Sequence, residues 1–268
     1  LAVPGTDRIF LHDTGANDTF CKEDLDMEAV CEADLFHFGY PTLMKRMYEN
    51  GGEEFLSMLA AVKEAGTAVS LDLAAIDADS AAAKQDWGEI LRRALPLVDF
   101  FVPSVEELCY MLDEKRYRSW RERAGAGDVT EVLTIEDIRP LGEKVIGMGA
   151  RAALIKCGAP GIYYKTGDRE RMEPLCKMLE LSEAEWVDKE GFEVSFKPEA
   201  VRSGTGAGDT SIAAFLASVL RGKSLAEAVR MAAGAGAFCV AAFDALSGIP
   251  SYETIEEKIR NLACTSIK

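Results

Sequence analysis

The sequence is poor in the residues that build metal centres and disulfide frameworks. It has only two histidines, His12 and His37, which excludes a site made of several histidines. Its seven cysteines are an odd number and include no pair spaced by two residues. This pattern argues against a disulfide framework or a zinc ribbon. We therefore expect reduced thiols in a cytoplasmic protein.

Positive charge is also scarce, with 30 Lys and Arg against 45 Asp and Glu and a net charge of −15. Such a surplus would repel nucleic-acid phosphates and anionic membrane surfaces, so neither is expected as a partner. No apolar run of about 18 residues predicts a membrane-spanning helix. The chain starts with neither an initiator Met nor a signal-peptide pattern. We expect it to begin downstream of the natural start.

What is present is an ordinary globular composition. The 268 residues are 48% hydrophobic and 28% charged, enough for one large α/β domain or two smaller ones. Short apolar runs alternate with segments of helical periodicity, and no linker or internal repeat separates them. This alternation predicts a mostly parallel sheet covered by helices on both faces. We expect a single domain over residues 1–268, with ligands at the carboxyl ends of the strands.

The predicted elements follow from apolar spacing and from the glycines and prolines that end each run. Two charged stretches, 113–129 and 168–191, show no clear period and are expected to be excursions from the core. The predicted strands are 8–12, 35–38, 68–73, 98–102, 152–156 and 161–164, and the predicted helices are 53–65, 87–95, 106–112, 209–220 and 224–243.

The most informative segment is 203–210, where three glycines precede an amphipathic helix. Glycines let the backbone approach a ligand, and the first N–H groups of a helix bind anions. Gly206, Ala207 and Gly208 therefore predict an anion hole. Asp209 would repel a phosphate if binding were its only task, but it could take a proton from a hydroxyl that attacks the phosphate. A helix-capping role for Asp209 is the alternative.

A second segment, 124–128, has almost the same letters. Charged residues precede it and no apolar helix directly follows. Because the anion hole needs that helix, Asp128 is interpreted as a surface-loop residue.

The segment Gly206–Asp209, with Thr205 before it and a helix after it, resembles the signature of the ribokinase-like (PfkB) carbohydrate kinases. Three weaker segments agree. The segment 15–17 resembles a Gly-Ala-Asn turn of that family, 103–108 resembles its Pro-Asn-x-x-Glu stretch, and 156–161 resembles the strand-turn-strand beside its nucleotide. The resemblance implies a three-layer α/β sandwich that uses ATP and Mg²⁺, with a monovalent cation as a further possibility.

The resemblance also implies roles for single residues. It makes Asp209 the catalytic base and the amides of Gly206, Ala207 and Gly208 the anion hole. The remaining candidates are Lys156, Gly158, Gly161, Thr205 and Gly236 for the nucleotide, Asn17 and Asp72 for the substrate, and Glu107 for magnesium through water. A surface position remains the alternative for Lys156, and a solvated helix face remains the alternative for Glu107. For Gly236 the close neighbour is either adenine or a facing helix.

Two departures from the family pattern stand out. Ser104 takes the place of the usual Asn, which implies altered handling of magnesium. The family's N-terminal region, with a glycine-rich sugar-binding segment and a small β lid, has no counterpart here. We expect that region to be missing from this sequence rather than from the protein, because the core alone would leave its cleft exposed.

These features favour an ATP-dependent phosphotransferase that acts on a hydroxyl of a sugar or related small polyol. Two alternatives stay open: a nucleoside kinase of the same fold, and a non-catalytic regulator that binds a sugar or nucleotide. A dinucleotide oxidoreductase is disfavoured, because the glycine turn lies late in the chain and no Rossmann fingerprint is complete. The resemblance also leaves open a homodimer, since family members often pair through the lid.

Overall fold

A computed structural model describes residues 12–262 of the chain. The predicted strand at 8–12 lies outside these residues except for His12, which belongs to no strand. One six-stranded sheet, in the order β1-β2-β3-β4-β5-β6, runs through the described part. The first four strands are parallel, and β5 and β6 are antiparallel to their neighbours. The strands are β1 Leu35–Phe38, β2 Ala68–Leu71, β3 Phe100–Phe101, β4 Ala152–Lys156, β5 Gly161–Thr166 and β6 Glu190–Val194.

Helices connect these strands and cover them. In the described residues they are α1 Met27–Glu32, α2 Lys45–Tyr48, α3 Glu53–Glu64, α4 Trp87–Ala94, α5 Val105–Leu112, α6 Glu114–Ala124, α7 Ile135–Met148, α8 Arg169–Met178, α9 Glu183–Trp186, α10 Ala207–Val219, α11 Leu225–Cys239 and α12 Tyr252–Ile259. No helix of residues 12–262 is long and apolar enough to cross a membrane.

The strands divide their apolar side chains between two cores, because successive residues of a strand point to opposite faces. Phe101 and Ile155 belong to a first core, together with residues of α3, α4, α5 and α7. Phe100 and Leu154 belong to a second, with residues of α8, α10, α11 and α12. Two helical layers therefore enclose a mostly parallel sheet. The predicted three-layer α/β architecture is confirmed.

The two stretches expected to leave the core are packed against it, so that expectation was wrong. Residues 113–129 contain α6, whose Trp120 is buried in the first core. Residues 168–191 contain α8 and α9, whose Met172 and Trp186 are buried in the second core. Charged residues dominate both stretches and obscure the apolar periodicity by which a helix is predicted. A surface helix nevertheless needs only a narrow apolar stripe to pack.

Several predicted elements are shorter than expected, and two of them differ most. The strand predicted at 98–102 is reduced to Phe100–Phe101, and Asp99 just before it is fully buried between Lys63 and Arg151. The last long helix ends at Cys239 rather than near 243. There the thiol of Cys239 donates to the carbonyls of Thr205 and Ala245, at 3.5 and 3.7 Å, which holds the following turn against the segment before α10.

Close packing of α11 on α12 depends on the absence of a side chain at Gly234. A Cβ built there would lie 2.4 Å from Cγ2 of Ile259, whereas a Cβ at Gly147, exposed in α7, would meet nothing within 4 Å. We expect Gly234→Ala to lower the free energy of unfolding by about 1–3 kcal/mol through overpacking. Gly147→Ala should raise it by roughly 0.5–1 kcal/mol through helix propensity. Urea unfolding monitored by circular dichroism measures both, and a stabilised Gly234→Ala protein would contradict the packing.

Candidate active site

A cavity of about 1020 Å³ opens where the parallel strands end. Its wall includes residues just after β1, β2 and β3, the last residue of β4, and the start of α10. Parallel strands bring their carboxyl ends to one edge of the sheet, so side chains far apart in sequence meet there. The cavity lies at the edge of the sheet where ligands were expected.

The turn that begins α10 requires glycine at one position for two independent reasons. Gly206 has a φ of +78°, in the left-handed region. A Cβ built on it would lie 2.3 Å from Cβ of Ala245. The N–H of Thr210 donates to the Gly206 carbonyl at 2.8 Å, and the N–H of Ala207 donates to the Gly204 carbonyl at 3.3 Å. Gly206, Ala207 and Gly208 all line the cavity.

Asp209 is the third residue of α10 and lies exposed on the cavity wall. The phenol of Tyr40 donates a hydrogen bond to its Oδ1. Within residues 12–262 no cation pairs with this carboxylate. The helix has Gly206 as its N-cap and no side-chain capping bond. The alternative role of Asp209 as a helix cap therefore finds no support in the described contacts, and the carboxylate faces the cavity as the anion-hole hypothesis requires.

Lys156 and Asp72 form an ion pair on the same wall. The Nζ of Lys156 lies 2.8 and 2.9 Å from the two carboxylate oxygens of Asp72, and both side chains are largely buried. Burial raises the pKa of Asp72, and the ammonium opposes this shift. A Cβ built on Gly208 would lie 3.7 Å from the same Nζ. The ammonium thus stands beside the first turn of α10, and a surface position for Lys156 is excluded.

Ser104 and Glu107 form a reciprocal cap at the start of α5. The Ser104 hydroxyl accepts from the N–H of Glu107 at 3.4 Å, and the Glu107 carboxylate accepts from the N–H of Ser104 at 3.2 Å. Burial raises the pKa of Glu107, while Lys156 opposes the shift. Both residues line the cavity. Ser104 is therefore explained by helix capping, and Glu107 is not on a solvated face.

Three predicted nucleotide-site glycines, Gly158, Gly161 and Gly236, line another part of the cavity. Gly158 and Gly161 have positive φ angles of +63° and +140°, and a Cβ on Gly161 would lie 2.1 Å from the carbonyl oxygen of Glu193. A Cβ on Gly236 would lie 2.6 Å from Oγ of Ser211 in α10. The close neighbour of Gly236 in the described residues is the facing helix. All three positions leave backbone exposed to the cavity.

Two predicted site residues do not line the cavity. Thr205 is turned into its own loop, where its hydroxyl accepts from the Ser203 hydroxyl at 2.9 Å and its N–H donates to the Ser203 Oγ at 3.1 Å. Asn17 lies exposed in the short 3₁₀ helix Gly15–Asp18. The structure therefore brings together the other predicted residues and leaves these two apart from them.

Sequence reasoning missed several cavity residues. Tyr40 lies two residues after the end of β1, and its place after a predicted parallel strand was the signal that could have found it. Asp128 is exposed, as expected, yet its loop folds back onto the cavity. A Cβ on Gly158 would lie 2.9 Å from Oγ1 of the neighbouring Thr130. This contact joins residues far apart in the sequence, so the spacing of residues within one segment could not predict it.

The aromatic pair Tyr110 and Tyr117, with ring centroids 5.7 Å apart, also borders the cavity.

The charge of the cavity wall is strongly negative. Among the described residues that line it, Lys156 is the only cation. The carboxylates are those of Asp72, Glu106, Glu107, Asp128 and Asp209. A polyphosphate could approach this wall only with its own charge balanced by cations. The wall thus suits an anion that arrives with a divalent metal ion.

The sequence matches the model of the "pfkB family carbohydrate kinase" over residues 2–251. Among curated proteins it is similar to an uncharacterized sugar kinase from Archaeoglobus fulgidus. The two are 26% identical over 245 residues, which cover 91% of this chain and 75% of that protein.

Solved structures show the same architecture. Ribokinase from Arabidopsis thaliana, complexed with ribose and ATP, is 22% identical with a TM-score of 0.58 and covers 90% of this chain. A putative ribokinase II from E. coli, in complex with ATP and Mg²⁺, is 17% identical with a TM-score of 0.60 and covers 90%. This chain spans 60% and 63% of those two chains. These similarities confirm the ribokinase-like fold, and the family match over nearly the whole chain shows that it belongs to the pfkB family of carbohydrate kinases.

Proposed function

We propose that the protein is an ATP-dependent kinase that phosphorylates a hydroxyl group of a sugar or related small polyol. The observation that carries this proposal is the position of Asp209. Its carboxylate lies on a large cavity, one residue after an anion-binding turn, and already accepts a hydrogen bond from a hydroxyl group. The similar proteins agree with this proposal, since they include a sugar kinase and a ribokinase complexed with ribose and ATP.

Asp209 would act as the general base. It takes the proton from the acceptor hydroxyl as the oxygen attacks the terminal phosphorus of ATP, and the bond from that phosphorus to the bridging oxygen of ADP breaks. The first-turn amides of α10 that make no bond within the turn would stabilise the negative charge on the transferring group, because the start of a helix carries partial positive charge. Lys156 adds a full positive charge beside this turn.

The rest of the cavity suits a nucleotide. Its volume of about 1020 Å³ is at the upper end of ordinary small-molecule sites, which leaves room for ATP and a sugar together. Gly158, Gly161 and Gly236 present backbone rather than side chains to this space. Without side chains at these positions, a nucleotide can approach the backbone closely.

The carboxylates of the wall fit a magnesium ion. Mg²⁺ prefers oxygen ligands and is usually held by one or two carboxylates together with substrate phosphates. The charge of the nearby Asp72 adds to burial in raising the pKa of Glu107. In residues 12–262 the one tight group of three potential ligands, Cys21, Glu23 and Glu54, lies away from the cavity. We infer that Glu107 helps to hold Mg²⁺ through water, and that the ion would neutralise phosphate charge.

Replacing Asp209 by Asn tests the base. Asn keeps the shape of the side chain but cannot take a proton, so turnover should fall by about 10²- to 10⁴-fold. ATP affinity should change little. ADP release by the full-length protein with Mg-ATP, assayed over pentoses, hexoses, sugar acids and nucleosides, measures turnover and distinguishes a sugar from a nucleoside acceptor. Calorimetric titration measures ATP binding.

Asp128→Asn is the matched control, because Asp128 ends the similar segment 124–128 and also borders the cavity. This variant should keep most of the turnover. Near-normal kcat in Asp209→Asn would refute the proposed mechanism. ATP binding by the wild-type protein without turnover on any acceptor would favour the regulator hypothesis.

The role of Glu107 predicts a pH-dependent requirement for magnesium. Burial raises the pKa of Glu107, so the carboxyl becomes neutral when the pH falls below that raised value and then attracts Mg²⁺ less. The Mg²⁺ concentration for half-maximal ADP release should therefore rise on acidification. Glu107→Gln should show a requirement about 10- to 100-fold higher at neutral pH. Glu143→Gln, exposed in α7, should behave like the wild type. An unchanged requirement in Glu107→Gln would contradict this role.

A further inference from the structure

Tyr40 has an unusual backbone conformation for an aromatic residue. Its φ of 67° and ψ of 42° place it in the left-handed region, which bulky side chains rarely enter. It also precedes Pro41, and a residue before proline prefers an extended conformation. Its N–H reaches the Asp72 carbonyl at 3.4 Å, and its own carbonyl accepts from the N–H of Leu43 at 2.9 Å. Tyr40 is therefore held in an unfavourable backbone state, and a change to an extended conformation would relieve this strain and move its ring away.

The present conformation places the Tyr40 hydroxyl against the carboxylate of Asp209. The phenol is the donor and Oδ1 of Asp209 the acceptor. Burial and the neighbouring carboxylate raise the pKa of the phenol, so it keeps its proton and remains a donor at neutral pH. The two residues are 169 positions apart in the chain. Only the tertiary structure brings them together.

This hydrogen bond is the one that the proposed acceptor hydroxyl has to make with the base. We propose that Tyr40 caps Asp209 while no acceptor is bound, occupying the place of the acceptor hydroxyl and giving it up when the sugar arrives. The proposal rests on the kinase function inferred above and assigns a new role within that site. The cap would keep a water molecule from taking the acceptor's place on Asp209.

A cap would matter because the base is exposed among residues 12–262. Asp209 is exposed, and water competes with any sugar hydroxyl for an uncapped carboxylate. A phenol held against Oδ1 excludes water there. Tyr40 is itself 37% exposed, so an incoming acceptor can reach and displace it. The left-handed conformation makes displacement easier, since leaving it relieves an unfavourable backbone state.

The test is ADP release from Mg-ATP without any sugar, with water as the only acceptor. Tyr40→Phe keeps the ring and removes the hydroxyl, so this hydrolysis should rise at least about fivefold, the change that corresponds to about 1 kcal/mol of hydrogen bond. In Tyr40→Phe/Asp209→Asn it should return to the wild-type rate or below. Tyr48→Phe removes a phenol hydroxyl outside the cavity and should leave the hydrolysis unchanged.

Tyr40→Gly provides a second variant in case Tyr40→Phe does not fold, because glycine accepts the left-handed conformation without strain. It should also raise the hydrolysis. An unchanged or lower rate in the folded variants would overturn the cap. A loss of kcat at unchanged KM for the best acceptor of the panel would instead show that Tyr40 orients the base. Failure of the kinase proposal itself is separate, because it would appear as the absence of sugar-dependent ADP release by the wild-type protein, whereas the hydrolysis comparison uses no sugar.

Discussion

The ion pair of Lys156 with Asp72 is the contact around which the site is arranged. It joins the end of β4 to the residue after β2, across the intervening β3. The positive charge of this ammonium acts to lower the pKa of Glu107. The first turn of α10 lies next to the same ammonium. Loss of either partner would leave the other charge largely buried and unpaired, which is costly in a protein interior. This one cation balances only part of the negative charge on the cavity wall, whose other carboxylates are Glu106, Glu107, Asp128 and Asp209.

Close backbone approach is the second constraint. At Gly206, Gly161 and Gly236 an added Cβ would lie within 2.6 Å of atoms of Ala245, Glu193 and Ser211 respectively. These contacts bring the turn before α10, the β4–β5 turn and α11 against the same cavity. The glycines therefore serve close packing, because the space that each added Cβ would need is already filled by a neighbouring segment of the protein.

Sequence reasoning succeeded where the signal is local. The order of strands and helices follows from periodicity, and the glycine turn that opens α10 at the cavity follows from three glycines directly before an apolar helix. It failed at α6, α8 and α9, where a few buried residues such as Trp120 and Trp186 anchor helices that are otherwise charged. Asn17 and Thr205 were chosen by resemblance to short motifs, and the fold places neither on the cavity wall.

By itself, the sequence determined the α/β layering and the turn at Gly206–Asp209, because both depend on neighbours only a few positions apart. The tertiary structure alone decided which side chains surround that turn. Tyr40 meets Asp209, and Asp72 meets Lys156, only because parallel strands end at one edge of the sheet. Such contacts depend on how separate strands and helices pack, and the spacing of residues along one segment cannot predict that packing.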